Sequence, residues 1–492
     1  MKKLLVSLLS VAAISSLAAC GESGGDDGKI KVVFWHTFGD KIEAGVKDQI
    51  AAFKALVKAN EGIDIEVELE HYGSYTDTRT IVGTALEGGN GPSMCIAYPD
   101  SVASLMFREA YPQQYVRRVD EYFNDKEIGF GKEAYLGDGP IGDFITSYLE
   151  EGSSFQVEGT FVMPFMKSSE IMLYNKDIVG PLMEYYRPEL SGDAVWEFVD
   201  SMSWDDLIAL GQLALDHKDD LHLTAMEEPI FYDSDSNMFI TQLYQEDLKY
   251  SSVDRQGNVV LNLDKKADPT NYQDAVSMLE DYRTWHTPTG DNSFGIMTTK
   301  KTEGTYASDS FKNRKCVFTI GSSGGAGYTF PQTSGMEFGI CRVPYRGTES
   351  AHPKYISQGP SVCFLNNKGY SKEKNDLIFK YSWKLYKYLT NEINNTVLCV
   401  NHSEGYVPVR NSCYKSEIWG EFLDGNTNYA KAAIVVKDII GDNFISSLVF
   451  NGSASYRDYV GGLIGDVMKT KDDVSGLLDI CVNNTKTDMA QK

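Results

Sequence analysis

Ser322-Ser323-Gly324-Gly325 stands at the end of the apolar run 317–320. A strand that gives way to a helix there presents free backbone N–H groups beside two hydroxyls, a cradle for a polar or anionic group. The same four residues also suit an ordinary helix cap. Arg457 can supply a bidentate positive charge to a phosphate or carboxylate. Trp35, Tyr72, Tyr75, Tyr98 and Tyr406 each offer a flat apolar ring with a polar tip, the shape that stacks on a sugar face. The chain holds 29 tyrosines, so most of them must serve packing. Asp40 and Asp100 can accept hydrogen bonds from ligand hydroxyls, although a loop aspartate is usually solvated.

Bond-breaking patterns are mostly missing. The sequence has no HExxH and no phosphate-binding P-loop. His217 and His222 are five apart and do not share a helical face. Glu150-Glu151 and Glu227-Glu228 are adjacent pairs whose members point to different sides. No metal site, catalytic residue or cofactor is indicated.

The elements that must position these groups follow from periodicity. Residues 30–35 (IKVVFW) read as a buried strand. Ile42, Val46, Ile50, Phe53 and Val57 make one apolar stripe and predict a helix over 41–60. Residues 63–70 (IDIEVELE) alternate and predict a strand with one wet face. A helix over 76–86 ends at Gly88-Gly89, and 94–97 is a third strand. This βαβαβ order implies a parallel sheet, which binds ligands at the carboxyl ends of its strands. The loops that begin at His36, Tyr72 and Tyr98 should therefore face a site. Further on, Ser203 caps a helix, 248–263 suggests a hairpin, and 375–391 is a strong helix whose aromatics belong to a core.

The chain of 492 residues is long enough for two or three domains. Its 46 Lys and Arg against 69 Asp and Glu give a net charge of −23, which disfavours nucleic acid and anionic lipid. An anionic ligand would need its own local cations.

Several segments together resemble the family 1 extracellular solute-binding proteins of ABC importers, over nearly the whole chain. They are Val32-Val33-Phe34-Trp35-His36, Met163-Pro164-Phe165, Ser168-Ser169, Leu173-Tyr174-Asn175-Lys176-Asp177, residues 317–325 (VFTIGSSGG), Gln358-Gly359-Pro360-Ser361 and Gly405-Tyr406-Val407-Pro408-Val409. The resemblance implies an α/β, two-lobed periplasmic-binding-protein fold with the ligand cleft between lobes joined by several crossings. In that reading 163–177 makes the first crossing, 317–325 crosses back, and 358–361 makes the third. Lobe one is then 29–166 plus 320–360, and lobe two 167–319 plus 361–492. Function would be capture of a solute by hinge closure and delivery to importer membrane subunits, by a monomer and without catalysis.

Within the family the likeness is greatest to members that bind glycerol-3-phosphate. Carried over residue by residue, their site falls on Tyr75, Asp100, Ser168 or Ser169, Ser322-Ser323-Gly324, Gly359, Tyr406 and Arg457, with Trp35 and His36 at the entry to the cleft. Those members have glutamate where Asp100 stands and tryptophans near Phe231-Tyr232, so the solute stays open between a sugar and a glycerol phosphate. Two other readings are a glycan-hydrolysing surface lipoprotein, which needs two carboxylates such as Glu170 and Asp100 across a sugar, and a surface lipoprotein without a solute.

The amino terminus fits an exported protein. Lys2-Lys3 precede an apolar stretch too short to span a membrane, and Leu17-Ala18-Ala19-Cys20 resembles a lipobox, with Cys20 the lipidated first residue of the mature chain. Residues 21–28 read as a flexible tether. Seven cysteines remain, an odd number with no CxxC, so no disulfide framework is indicated, and whether a single pair bridges stays open.

Overall fold

The computed structural model describes residues 29–107, 115–331, 335–347, 354–441 and 443–490. Cys20, the signal segment and the tether lie outside them. Near the amino end, strand β1 (Ile30–His36) leads to helix α1 (Asp40–Glu61), β2 (Ile65–His71), α2 (Tyr75–Gly88), β3 (Met94–Ala97) and α3 (Pro99–Met106). The predicted stripe on α1 is buried at Val46, Ile50, Phe53 and Val57. Gly89 ends α2 at φ 79°, a left-handed position that favours glycine. Both β2 and β3 run parallel to β1, as the βαβαβ order requires. Helix α4 (Thr146–Glu151) and the short strand β4 (Met163–Pro164) follow.

The chain then crosses. Beyond it lie β5 (Glu170–Asn175), β6 (Ile230–Tyr232), the hairpin β7 (Ser251–Val253) with β8 (Val259–Leu261), β9 (Met297–Thr299), β10 (Phe318–Ser322), β11 (Phe338–Arg342) and β12 (Tyr355–Ile356). After a second crossing comes β13 (Ser361–Phe364), and near the carboxyl end β14 (Phe444–Ile445), which pairs with β12. Two five-stranded sheets result, ordered β2-β1-β3-β13-β4 and β11-β5-β10-β6-β9. Each has its own core, with Phe34, Phe53 and Trp383 in the first lobe and Trp204, Tyr232 and Phe239 in the second.

Sheet membership corrects the expected lobe boundaries. Strand β10 does not cross back: its backbone groups pair with β5 and β6 of the second sheet. Strand β11 pairs with β5 as well, so 320–331, 335–347 and 354–356 belong to the second lobe. Conversely, β13 pairs with β3 and β4, and the helix Lys372–Leu389 lays Phe379, Trp383 and Tyr386 into the first core. The chain returns to the second lobe only after 402, with helices Asn428–Asp438 on β5 and β11 and Ser453–Lys469 on Asp235–Gln245. Motif order alone mistook an interior strand for a crossing.

Three crossings therefore join the lobes, at 165–169, 357–360 and 403–416, and they lie side by side. Lys167 and Val407 exchange backbone hydrogen bonds of 3.0 and 2.7 Å, and Ser168 and Gln358 exchange two of 3.0 Å. Gly359 sits at φ 101°, and a Cβ there would stand 2.5 Å from the Met166 carbonyl oxygen. Only glycine lets the two chains approach so closely.

Candidate functional site

The cleft between the lobes holds a cavity of about 350 Å³. The first lobe contributes Tyr98 and Asp100 at the start of α3 and Glu151 at the end of α4; the crossings contribute Ser357 and Gln358. The second lobe contributes Asp233 and Asn237 after β6, Ser322 at the end of β10, Ser446-Ser447 after β14, and Arg457. Strand ends and the loops that follow them supply most of these groups, as expected for open α/β sheets.

Arg457 is not a free cation. Its Nε lies 3.3 Å from Asp100 Oδ2, and its Nη1 donates to Asn237 Oδ1 at 2.6 Å. Asn237 Nδ2 in turn donates to Glu170 Oε1 at 3.2 Å, and the Tyr232 hydroxyl bonds the same carboxyl group. Glu170 is fully buried, and burial pushes its pKa up to about 8 against those hydrogen bonds. Asp100, Arg457, Asn237, Glu170 and Tyr232 thus form one polar chain from the first lobe into the core of the second. Lys167, on the first crossing, is completely buried and pairs with Glu151.

The aromatic residues divide. Tyr75 and Tyr98 pack with ring centroids 4.4 Å apart, and Tyr75 is hydrogen-bonded to Tyr406. Burial raises the Tyr406 hydroxyl to a pKa of about 12, so it stays a neutral donor. A Cβ on Gly324 would come within 2.8 Å of the Tyr406 ring, so the glycine admits the ring against the β10 turn. Trp35 and His36 do not join them. Trp35 lies in the first-lobe core beside Val82 and Cys95, its ring 4.2 Å from Tyr72. His36 is wholly buried, stacks on Phe38 and accepts the Phe38 N–H at 3.1 Å on Nδ1. Burial pulls its pKa down to about 4. Strand alternation cannot lift both residues out of a sheet packed on two faces, which corrects their expected place at the entry to the cleft.

The serine cradle is largely spent on structure. The Ser323 N–H donates to the Ser169 carbonyl at 2.8 Å and its hydroxyl to the Gly405 carbonyl at 2.9 Å. The Ser169 hydroxyl donates to the Ile356 carbonyl at 2.9 Å. Ser323 and Ser169 therefore tie crossings to β10 and β12, Gly359 packs the second crossing on the first, and Ser322 is the member of the turn that lines the cleft. Its Oγ lies 3.4 Å from Ser168 Oγ, which is buried.

A second cavity, about 440 Å³, is walled entirely by the second lobe. Asp233 and Ser322 line both cavities. Ile171, Leu173 and Thr319 form its base, and Tyr306 and Tyr328 stand exposed at its rim. Its Lys312 pairs with Asp309 at 3.2 Å. Sequence reasoning missed Glu151, Asn237, Ser446-Ser447, Tyr306 and Tyr328. A signal existed for Asn237: the run Asp233-Ser234-Asp235-Ser236-Asn237 follows an apolar strand directly, as Ser322-Ser323 does. Among the described residues no cluster of three or more His, Cys, Asp or Glu is placed to hold a metal ion, and no helix is long and apolar enough to cross a membrane.

The model of a family described as bacterial extracellular solute-binding protein matches residues 49–421. The chain belongs to this family. Solute-binding proteins of this family lie outside the cytoplasmic membrane, and binding, not turnover, is their work. Among solved structures, UgpB from Mycobacterium tuberculosis in complex with glycerophosphocholine is 16% identical at a TM-score of 0.66, over 95% of this chain and 98% of its own. An ABC substrate-binding protein from Listeria monocytogenes in complex with cycloalternan is 13% identical at 0.64, over 94% and 100%. The cyclic alpha-maltosyl-1,6-maltose binding protein from Arthrobacter globiformis is 13% identical at 0.62, over 94% and 100%. At such identity these likenesses establish the two-lobed fold. No curated protein sequence matches the chain.

Proposed function

We propose that this solute-binding protein captures a neutral oligosaccharide between its lobes and delivers it to the membrane subunits of an ABC importer. One observation carries the choice of solute: Arg457, the cation nearest the cleft, is already held by Asp100 and Asn237. Asp100, Glu151 and Asp233 line the same cavity, and Lys167 is already paired with Glu151. A phosphate dianion placed there would face carboxylates without a free counter-charge and would be desolvated at a large cost. Sugar hydroxyls suit the arrangement, since they donate to carboxylates and accept from serine and amide groups. Tyr98 and the rim tyrosines Tyr306 and Tyr328 add stacking surface. Two neighbouring cavities of about 350 and 440 Å³, both lined by Asp233 and Ser322, favour a solute of several rings over a single one. Two of the named relatives, one in complex with cycloalternan and one a cyclic alpha-maltosyl-1,6-maltose binding protein, support the same class.

The mechanism is closure. Solute contacts with both lobes favour the closed form in proportion to their excess over the contacts possible in the open form. Cys20 supplies the anchor in this reading, a lipid on the outer face of the cytoplasmic membrane, with 21–28 as tether. Calorimetric titration tests the proposal with maltose, longer maltosaccharides, cyclic tetrasaccharides, glycerol-3-phosphate and glycerophosphocholine. Saccharide binding that persists unchanged in high salt is expected. Binding of the phosphate compounds alone, lost in Arg457→Ala, would replace the saccharide by a phosphate ester.

A further inference from the structure

Cys95 and Cys363 face each other in the first sheet. They are opposed in the antiparallel register of β3 and β13, their Sγ atoms are 3.2 Å apart, and 268 positions separate them in the chain. Both side chains are buried. Cys316, Cys341, Cys399, Cys413 and Cys481 are buried too, and among the described cysteines Cys95 and Cys363 are the pair whose sulfurs touch. Directly opposed residues on neighbouring strands place their Cα atoms about 4.5–5.5 Å apart, inside the span of about 4.4–6.8 Å that a disulfide bridges. The bridge would need rotation of the side chains and no movement of the strands. The family works outside the cytoplasm, where disulfides form and persist.

We propose that Cys95 and Cys363 are joined by a disulfide in the exported protein, made by exchange with a low-molecular-weight disulfide. The thiolate of one cysteine attacks the reagent, forms a mixed disulfide and expels one thiol. The second cysteine gives up its proton and attacks the protein sulfur of that mixed disulfide, expelling the other thiol. Two protein thiols are oxidised, one reagent disulfide is reduced to two thiols, and the protons end on those thiols. Contact with Cys363 and burial both hold the Cys95 thiol protonated in the folded chain. Exchange therefore belongs to folding, before β13 docks on β3. The bond would tie the amino-terminal strands to the segment that returns through the second crossing. Both cysteines belong to one lobe, so lobe closure is untouched.

The test is refolding of the reduced full-length chain in a mixed oxidised and reduced glutathione buffer, followed by alkylation, non-reducing digestion and mass spectrometry. The expected product is the Cys95 peptide linked to the Cys363 peptide, lighter than their sum by two hydrogens. Its melting temperature should exceed that of the reduced protein by several degrees and fall back on reduction, whereas Cys363→Ala should melt identically with and without reductant. The same digest of protein alkylated in a bacterial envelope fraction gives an answer that does not depend on refolding. Alkyl label on both Cys95 and Cys363 in the two preparations, or linkage to other cysteines, overturns the proposal.

Discussion

Arg457 of the second lobe meets Asp100 of the first across the cleft, Nε to Oδ2 at 3.3 Å, and the next residue, Asp458, faces Arg79 of α2 at 3.4 Å. Two neighbouring residues of opposite charge thus engage two helices of the other lobe. The pairs bridge the cleft, and one of them occupies the cation that an anionic solute would need.

Replacing Asp100 by Asn should loosen the ligand-free protein and release Arg457. A half-exposed ion pair contributes roughly 0–1 kcal/mol, so the closed population should fall by up to about fivefold. Small-angle scattering should show a larger radius of gyration, and glycerol-3-phosphate should bind more tightly than to the parent. An unchanged radius would mean that this pair does not hold the lobes together.

Glu170 makes stability depend on pH in a definite direction. Its folded pKa is raised to about 8, so the native state keeps a proton that the unfolded chain has lost above its ordinary carboxyl pKa. Stability should fall as pH rises toward 8 and level off beyond. Glu228, raised to about 7 by burial, acts in the same sense. His36, lowered to about 4 by burial, acts in the opposite sense below its ordinary value of 6.5. The carboxyl effect is therefore cleanest between pH 6.5 and 8. Melting temperatures across that window should decline in the parent and decline less in Glu170→Gln; equal slopes would show that Glu170 is ionised in the fold.

Gly359→Ala should be among the most damaging single substitutions in the hinge. The φ of 101° and the backbone of 166–168 both oppose a methyl group. A loss on the order of 2–4 kcal/mol is expected in urea titration. A loss under about 1 kcal/mol would show that the crossings can separate at little cost.

Trp35 and Tyr328 should behave as opposites. Trp35→Leu creates a cavity in the first core and should cost about 2–4 kcal/mol while leaving solute affinity intact. Tyr328 is 75% exposed, so Tyr328→Ala should leave melting unchanged and weaken binding of longer saccharides selectively. Equal affinity of parent and Tyr328→Ala for every saccharide would remove the second cavity from the binding site.

The first lobe was readable because its signals are local. The stripe on α1, the alternation of β2 and the glycine after α2 each specify a short element, and βαβ handedness assembles them. The return of 361–364 to the first sheet was not readable, since nothing local in Ser361-Val362-Cys363-Phe364 tells which sheet will supply its hydrogen-bond partners. The site divides in the same way. Asp100, Ser322 and Arg457, expected in the site, line the cleft cavity, whereas Tyr406 packs on Tyr75 and the β10 turn. Trp35 and His36 look alike in sequence whether a sheet buries one face or two. Asn237 and Glu170 matter through partners 67 positions apart, a relation that only the folded chain displays.

The side-by-side crossings have a mechanical consequence. Three hydrogen-bonded chains make a ribbon that resists sliding and in-plane rotation, because either motion would break the Lys167–Val407 and Ser168–Gln358 bonds together. Bending across the ribbon breaks none of them. Relative movement of the lobes is thereby reduced to nearly one angular coordinate, so an encounter with solute starts from two walls already aligned, and little orientational freedom is left to lose when they shut.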